Sequence, residues 1–232
     1  MKFIIIGLGN FGSHLGMRLI EEGHEVMGVD NSAAHIEMYK EKLTHTICAD
    51  SSDELVLRRI PLDESDYIIV SIGEDLGASI TTVALLKKLC TTKIIARAIS
   101  PIHHTILETM EVHEIIEPEA EYADEFSKKF GLKGAIKSLS LDNKFEISEI
   151  ELPKKLIGKT IQNAQLRSKW GLNVVTVVRK IASKNIFGKI TNSRKVLGVI
   201  QPDTILEEGD VLVLFGLYAD LRTFGDEMEA SL

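Results

Sequence analysis

Residues 1–30, MKFIIIGLGNFGSHLGMRLIEEGHEVMGVD, constrain the fold more tightly than any other part of the chain. An apolar run ends at Gly7, glycines follow at Gly9 and Gly12, a helical pattern begins near Phe11, and a second apolar run stops at Asp30. The spacing G-x-G-x-x-G between a strand and a helix gives each glycine its own task. Gly7 turns the chain out of the strand. Gly9 lets backbone approach a phosphate with no Cβ in the way, and Gly12 lets the helix pack closely on the sheet. With Asn10 and Phe11 at its start, that helix aims its first amides and positive dipole end at the phosphate. Asp30 follows about 20 residues later, where a carboxylate accepts hydrogen bonds from both ribose hydroxyls of an adenosine, with Asn31 beside it. The same carboxylate repels a 2′-phosphate, by on the order of a few kcal/mol at about 4 Å and an effective dielectric near 20. The expected ligand is therefore NAD(H), or ATP or ADP, and not NADP.

Up to about residue 130 the same rhythm continues. The apolar runs KFIII, HEVMGVD, THTICAD, DYIIVSI, KIIARAI and HEIIEP alternate with helical patterns. They are short and rich in Ile and Val, as strands buried on both faces of a parallel sheet should be. Right-handed crossovers then predict an α/β, Rossmann-like doubly wound parallel sheet that binds ligands at the carboxyl ends of its strands. The third strand runs into CADSSDE, which places Asp50 and Ser51 beside an adenine; Asp50 reads equally well as the N-cap of the helix in SSDELVLRRI. The fourth ends in IIVSIGED, bringing Ser71, Ile72 and Gly73 to the crevice. Arg97 ends the fifth, either to reach a phosphate or to form a structural ion pair.

After Gly134 the pattern changes. FEISEIELP, NVVTVVRKI and GDVLVLFG are strand-like, TIQNAQLRSKWG and YADLRTFGDEME read as short helices, and ASKNIFGKITNSRKVLG looks like a long basic hairpin excursion. A smaller α+β module is expected, with the boundary in GLKGAIKS, giving domains 1–135 and 136–232. The chain is 232 residues long with a formal net charge of -7, too acidic for a broad nucleic-acid footprint. Two distant cysteines, Cys48 and Cys90, indicate neither a disulfide framework nor a zinc site. The run MKFIII is broken at once by the glycine loop, so it does not read as a signal peptide, and no apolar stretch approaches the roughly 20 residues of a membrane span. A soluble, cytoplasmic chain is the expectation.

A dehydrogenase would also need a proton-transfer residue beside the nicotinamide. The Tyr-x-x-x-Lys pair is missing: four residues beyond Tyr39, Tyr67, Tyr122 and Tyr218 stand Leu43, Ser71, Phe126 and Arg222. His103 and His104 open a helix but point to different faces, with no acid spaced to orient either. There is no nucleophile motif and no His-Glu-x-x-His.

Taken together, IIIGLGNFG, GHEVMGVD, ADSSDE, VSIGED, IIARAISPIHHTILETM, IIEPEAE, LIGKTIQNAQLRSKWGLNVVTVVRK and LEEGDVLVLFG resemble the regulatory subunits of Trk/Ktr potassium-uptake systems. The resemblance covers essentially the whole chain. It implies an RCK N-terminal domain over 1–135, an RCK C-terminal (TrkA_C) domain over 136–232, and no catalysis. It implies homodimers assembling into an octameric ring under a membrane-embedded potassium-translocating subunit, at the inner face of the plasma membrane, with ligand exchange changing the shape of the ring. In such a subunit Asp30 holds the ribose and Arg97 approaches phosphates. Glu119 helps place a divalent cation, Mg²⁺ or Ca²⁺, at a subunit interface. Ile161, Gln162, Arg167, Asn173 and Pro202 match positions that bind cyclic di-AMP in some relatives. ATP-responsive members often carry an arginine between the second and third glycines. Here Asn10, an uncharged amide, stands in its place, which favours NAD(H) or a broad adenine-nucleotide response. An NAD-dependent oxidoreductase and a stand-alone nucleotide sensor remain the alternatives.

Overall fold

The structure is a computed structural model that describes residues 1–184 and 190–229. Its first compact unit, Met1–Pro118, is a six-stranded parallel sheet in the order β3-β2-β1-β4-β5-β6. The strands are β1 (Lys2–Ile6), β2 (Glu25–Asp30), β3 (His45–Cys48), β4 (Tyr67–Val70), β5 (Lys93–Arg97) and β6 (Glu114–Ile116). They alternate with α1 (Asn10–Glu21), α2 (Ala33–Tyr39), α3 (Glu54–Leu57), α4 (Leu76–Leu89) and α5 (Pro101–Thr109). All six expected strands form. Along β1, Ile4 and Ile6 enter one buried cluster with Val70, Val83 and Leu107, whereas Phe3 and Ile5 enter another with Val26 and Leu43. Period-2 alternation thus feeds two cores, and this is why the strands read as unbroken apolar runs. The chain winds outward from β1 through β2 and β3, then returns to add β4 on the other side. This reversal opens a crevice at the carboxyl ends of β1 and β4.

Local chemistry sets where the helices start. Ser32, Asp53, Asp75 and Ser100 cap α2, α3, α4 and α5 by accepting from backbone amides two or three residues on. The helix expected over SSDELVLRRI shrinks to Glu54–Leu57, because the residue before Pro61 is steered out of helical geometry. Its cap is Asp53, which corrects the alternative that gave this role to Asp50.

The second unit, Glu119–Leu232, holds an antiparallel five-stranded sheet in the order β10-β9-β11-β8-β7. Its elements are α6 (Pro118–Gly131), β7 (Ala135–Ser140), β8 (Phe145–Glu151), α7 (Ile161–Ala164), α8 (Leu166–Trp170), β9 (Asn173–Lys184), β10 (Ile190–Val196), β11 (Val211–Leu217) and α9 (Tyr218–Glu229). The core gathers Leu132, Ile150, Leu172, Leu212, Leu214 and Phe224. Strand β7 was not expected, because its inward residue Ser138 is polar and breaks the apolar alternation. The hydroxyl is matched by Ser148 across the strand pair at 2.9 Å. The helix expected over TIQNAQLRSKWG is broken in two by Gln165, which adopts φ 54. Of the expected basic excursion, 185–189 lie outside the described residues, while β9 and β10 pair antiparallel on either side.

The two units divide at Pro118/Glu119, whereas the expected boundary was 135/136. The difference is α6. Its Lys128 donates to Ser140 Oγ on β7 at 2.6 Å, and a Cβ at Gly131 would lie 2.4 Å from the Tyr218 hydroxyl on α9. A helix that looked like the end of the first rhythm therefore packs with the second sheet.

One buried charge pair pins the turn before β11. Arg179 on β9 donates to both carboxylate oxygens of Asp210, at 2.9 and 2.8 Å, and to the carbonyl of Ile205. It also pairs with Glu207. Asp210 is 1% exposed and accepts from the Glu207 amide as well. Its hydrogen bonds hold the Arg179 pKa above the ordinary value. Hydrogen bonds to charged groups contribute about 1.5–3 kcal/mol, and the part-buried Arg179 keeps Glu207 when Asp210 is removed. Asp210→Ala should lower stability by about that much in urea unfolding; a loss below about 1 kcal/mol would contradict this role.

His103 lies fully buried at the start of α5. Its Nδ1 accepts from the Ile99 amide at 3.4 Å, and Nε2 has no partner among the described residues. Burial lowers its pKa from 6.5. Below about pH 6.5 the unfolded chain then takes up a proton that the folded chain refuses, so stability falls as pH falls. Thermal unfolding followed from about pH 7 to about pH 5.5 should show this decline, and His103→Gln should flatten it.

Candidate functional site

The glycine loop is built by close approach. Gly7 adopts φ 97, outside the range of ordinary L-residues, and a Cβ there would lie 3.1 Å from the Ile72 amide nitrogen. A Cβ on Gly12 would lie 2.0 Å from the Gly7 carbonyl oxygen, so no side chain fits. Ser71 locks this junction: its hydroxyl, 2.7 Å from the Gly7 carbonyl and 3.1 Å from that of Ile6, bonds back into the strand end. Gly9 is different, because nothing lies within 4 Å of the position its Cβ would take. That open space sits at the start of α1, where no side chain caps the helix and no acid stands in the first turn. An uncapped N-terminus facing a space that a Cβ would begin to fill suits a phosphate group.

Asp30 is held rigidly at the end of β2. Oδ2 accepts from the Leu8 amide at 2.6 Å and Oδ1 from the Ser32 amide at 2.8 Å, with the side chain only 9% exposed. A carboxylate offers about four lone-pair directions, so Oδ2 keeps one for a further donor, whereas Oδ1 has His35 as a second neighbour. Two features here escaped the sequence. The bond to Leu8 ties the end of β2 to the glycine loop, and His35 on α2 brings Nδ1 to 3.2 Å from Asp30 Oδ1. The Asp–x–x–x–x–His spacing across a helix start was their only trace. Asn31 is exposed and its carbonyl receives the Cys48 thiol at 3.8 Å, joining the ends of β2 and β3.

Asp50 is exposed beyond β3. Its Oδ1 accepts from both the amide and the hydroxyl of Ser52, and the hydroxyl bond chiefly holds its pKa low. Ser51 turns inward instead, its hydroxyl 2.9 Å from Thr82 Oγ1 on α4. The hydroxyls of Ser51 and Ser71 thus serve the protein interior.

Arg97 leaves β5 across Gly73 and reaches α1. A Cβ on Gly73 would meet Nη1 at 2.7 Å, and the guanidinium carbon lies 5.8 Å from the centre of the Phe11 ring. Gly73 is the gap through which a positive charge is laid beside the helix start. Asn10, the first residue of α1, is exposed, and its carbonyl lies 2.6 Å from His14 Nδ1. One expectation is corrected: an acid does stand by His104, since Glu117 at the end of β6 brings Oε2 to 3.3 Å from Nδ1. Strand pairing supplies that neighbour, and sequence spacing could not. A separate cleft of about 220 Å³ beside Lys2, Glu25 and His45 lies at the amino ends of the strands, away from the glycine loop.

In the second unit, Glu119 is exposed in the first turn of α6 with Glu121. Among the described residues no group of three His, Cys, Asp or Glu gathers to hold a metal. Backbone hydrogen bonds bring Ile161 to Thr204 and Gln162 to Pro202, at 3.0 and 2.9 Å. Arg167 on α8 and Asn173 at the start of β9 are exposed.

Comparison with known proteins agrees with this architecture. The chain is 29% identical over 223 residues to the Ktr system potassium uptake protein C of Bacillus subtilis, covering 96% of this chain and 95% of the relative. It is 29% identical over 226 residues to the Ktr system potassium uptake protein A of the same organism, covering 97% and 96%. The crystal structure of the GsuK RCK domain superposes with a TM-score of 0.64 at 19% identity, over 97% of this chain and 47% of that one. The GsuK channel bound to NAD gives 0.62 at 19% identity, over 95% of this chain and 38% of that one. At such identities the two structures speak to the fold alone. The model of the TrkA-N domain matches residues 3–118, half of the chain. The chain belongs to the TrkA-N domain family.

Proposed function

We propose that this protein is the cytosolic nucleotide-binding regulatory subunit of a Ktr-type potassium uptake system, sensing NAD(H) or ADP/ATP and passing the signal to a membrane-embedded translocating subunit. The observation that carries this is the end-to-end kinship with the Ktr potassium uptake proteins A and C, combined with an intact phosphate cradle. No helix among the described residues is long and apolar enough to cross a membrane; in this reading ion passage belongs to the partner.

The geometry supports a defined division of labour. The diphosphate of a nucleotide sits over Gly9 at the α1 N-terminus, Arg97 adds positive charge there, and Asp30 receives the ribose hydroxyls and disfavours a 2′-phosphate. Asp30 and the loop are joined through the Leu8 amide. Ribose binding and phosphate binding therefore act on one rigid piece. To gate a partner, the ligand must bind one conformation of the assembly better than another, and differential affinity sets the size of the effect.

Self-association has a candidate surface in α6. Tyr122, Phe126 and Phe130 are exposed and contact one another in sequence, with ring centres 6.0 and 5.2 Å apart. An apolar ridge of this kind suits dimer formation, from which an octameric ring would be built. A divalent cation at Glu119 would then draw its remaining donors from a second copy. Cyclic di-AMP at Ile161, Gln162, Arg167, Asn173 and Pro202 is a further expectation for the second unit. We propose no catalysis: the Tyr-x-x-x-Lys pair is missing from the sequence and His103 is sealed in the core.

Calorimetry with NAD and ADP should show saturable binding that falls at least tenfold in Asp30→Ala, and Gly12→Ala should lose it through displacement of α1. Unchanged affinity in both variants would refute the assigned site. Potassium uptake in a host lacking its own Ktr regulators should depend on this chain and a co-expressed translocating subunit. Size measurement should find dimers or octamers that Phe126→Asp and Phe130→Asp dissolve. Steady NADH oxidation with a panel of hydroxy acids would revive the oxidoreductase alternative.

A further inference from the structure

We propose that the second unit carries a binding site for a small amphipathic anion, an apolar body with one acidic head, in the cleft between the end of β8 and α9. The cleft has a volume of about 250 Å³. Buried Ile150 and Phe224 close its floor, half-buried Leu152 and Met228 form its walls, and Lys154 and Lys155 stand at its rim. It shares none of the residues Ile161, Gln162, Arg167, Asn173 and Pro202, and it lies in a different unit from the glycine loop.

The wall is fixed where the charges are mounted. Lys154 and Lys155 sit on a single helical turn, Lys154–Leu156, entered from Pro153 at φ -62 and anchored by Leu156, which is 2% exposed. On the far side, a Cβ at Gly225 would lie 2.9 Å from the Lys133 carbonyl oxygen, so only glycine allows α9 to come this close. Both walls are thus set by packing rather than by a ligand.

Charge selects the occupant. The protein as a whole carries a formal net charge of -7, yet three lysines line this one cleft. Lys133 stands 3.5 Å from Asp226, and Glu151 offsets some of the charge at the rim. Lys154 and Lys155 make no ion pair among the described residues. An apolar floor draws in a hydrocarbon or aromatic group by burial, while two ammonium groups at the mouth fix the orientation of an acidic head. A bare inorganic anion would gain only screened surface attraction, and a neutral apolar molecule would leave the lysines unused.

Met228 offers a direct readout. In the full chain labelled at its methionine methyls, with Met228→Leu identifying the signal, octanoate should shift the Met228 resonance saturably. Lys154→Gln combined with Lys155→Gln should weaken this at least tenfold while leaving NAD affinity and thermal stability unchanged. Octanol should bind clearly more weakly than octanoate, and raised salt should weaken octanoate alone. Equal binding of octanol and octanoate, undiminished binding by the double variant, or no shift at Met228 would each overturn the proposal. Vesicles of phosphatidylglycerol should leave the resonance in place; a shift there would assign the cleft to a membrane surface instead of a free anion.

Discussion

The contact between α1 and the exit of β1 is the constraint on which the first unit depends. Gly12 must pass against the Gly7 carbonyl, where a Cβ would come to 2.0 Å, and Ser71 bonds the same carbonyl from β4. Three elements meet at one oxygen. With α1 pressed down so closely, no side chain caps its start, and nothing lies within 4 Å of the place a Cβ on Gly9 would take. The uncapped start of α1 that suits an anion is thus a consequence of packing, since the helix can begin this near the strand only with glycine at position 12.

Polar groups around this junction divide into those that hold the site and those left to act. Ser71, Ser51 and Thr82 satisfy one another or the backbone inside the protein. Asp30 does both, holding the Leu8 and Ser32 amides while Oδ2 keeps a lone pair for a further donor. Arg97 lies across Gly73 against Phe11, so the positive charge near the start of α1 is supported by an aromatic face. In the second unit Arg179 and Asp210 play a purely architectural part, closing the turn before β11 around a buried charge pair. The crevice and the rigid frame are thus built from the same residue types.

Much of this was legible beforehand because it follows from local rules. Ile- and Val-rich runs bounded by glycine and charge gave all six parallel strands, and two of the three fingerprint glycines, Gly7 and Gly12, fell at positions that admit no ordinary side chain. Failures came where a non-local partner decided the outcome. Strand β7 hides its alternation behind Ser138, which is apolar in role only because Ser148 faces it. The end of the first unit was misplaced because α6 continues the helical rhythm while packing on Ser140 and Tyr218. Asp50 looked like a cap until Asp53, three residues on, took that place.

By itself the sequence determined the parallel sheet, its crevice and the acidic residue at the end of β2, since strand period, glycine spacing and chain reversal are properties of near neighbours along the chain. Only the tertiary structure decided which of the named side chains face that crevice. Ser51 and Ser71 are claimed by the interior, His35 and Glu117 arrive from other elements, and the lysine-rimmed cleft of the second unit exists only when β8 and α9 meet. Side-chain direction depends on partners far away in sequence, and burial assigns those partners once the core has closed.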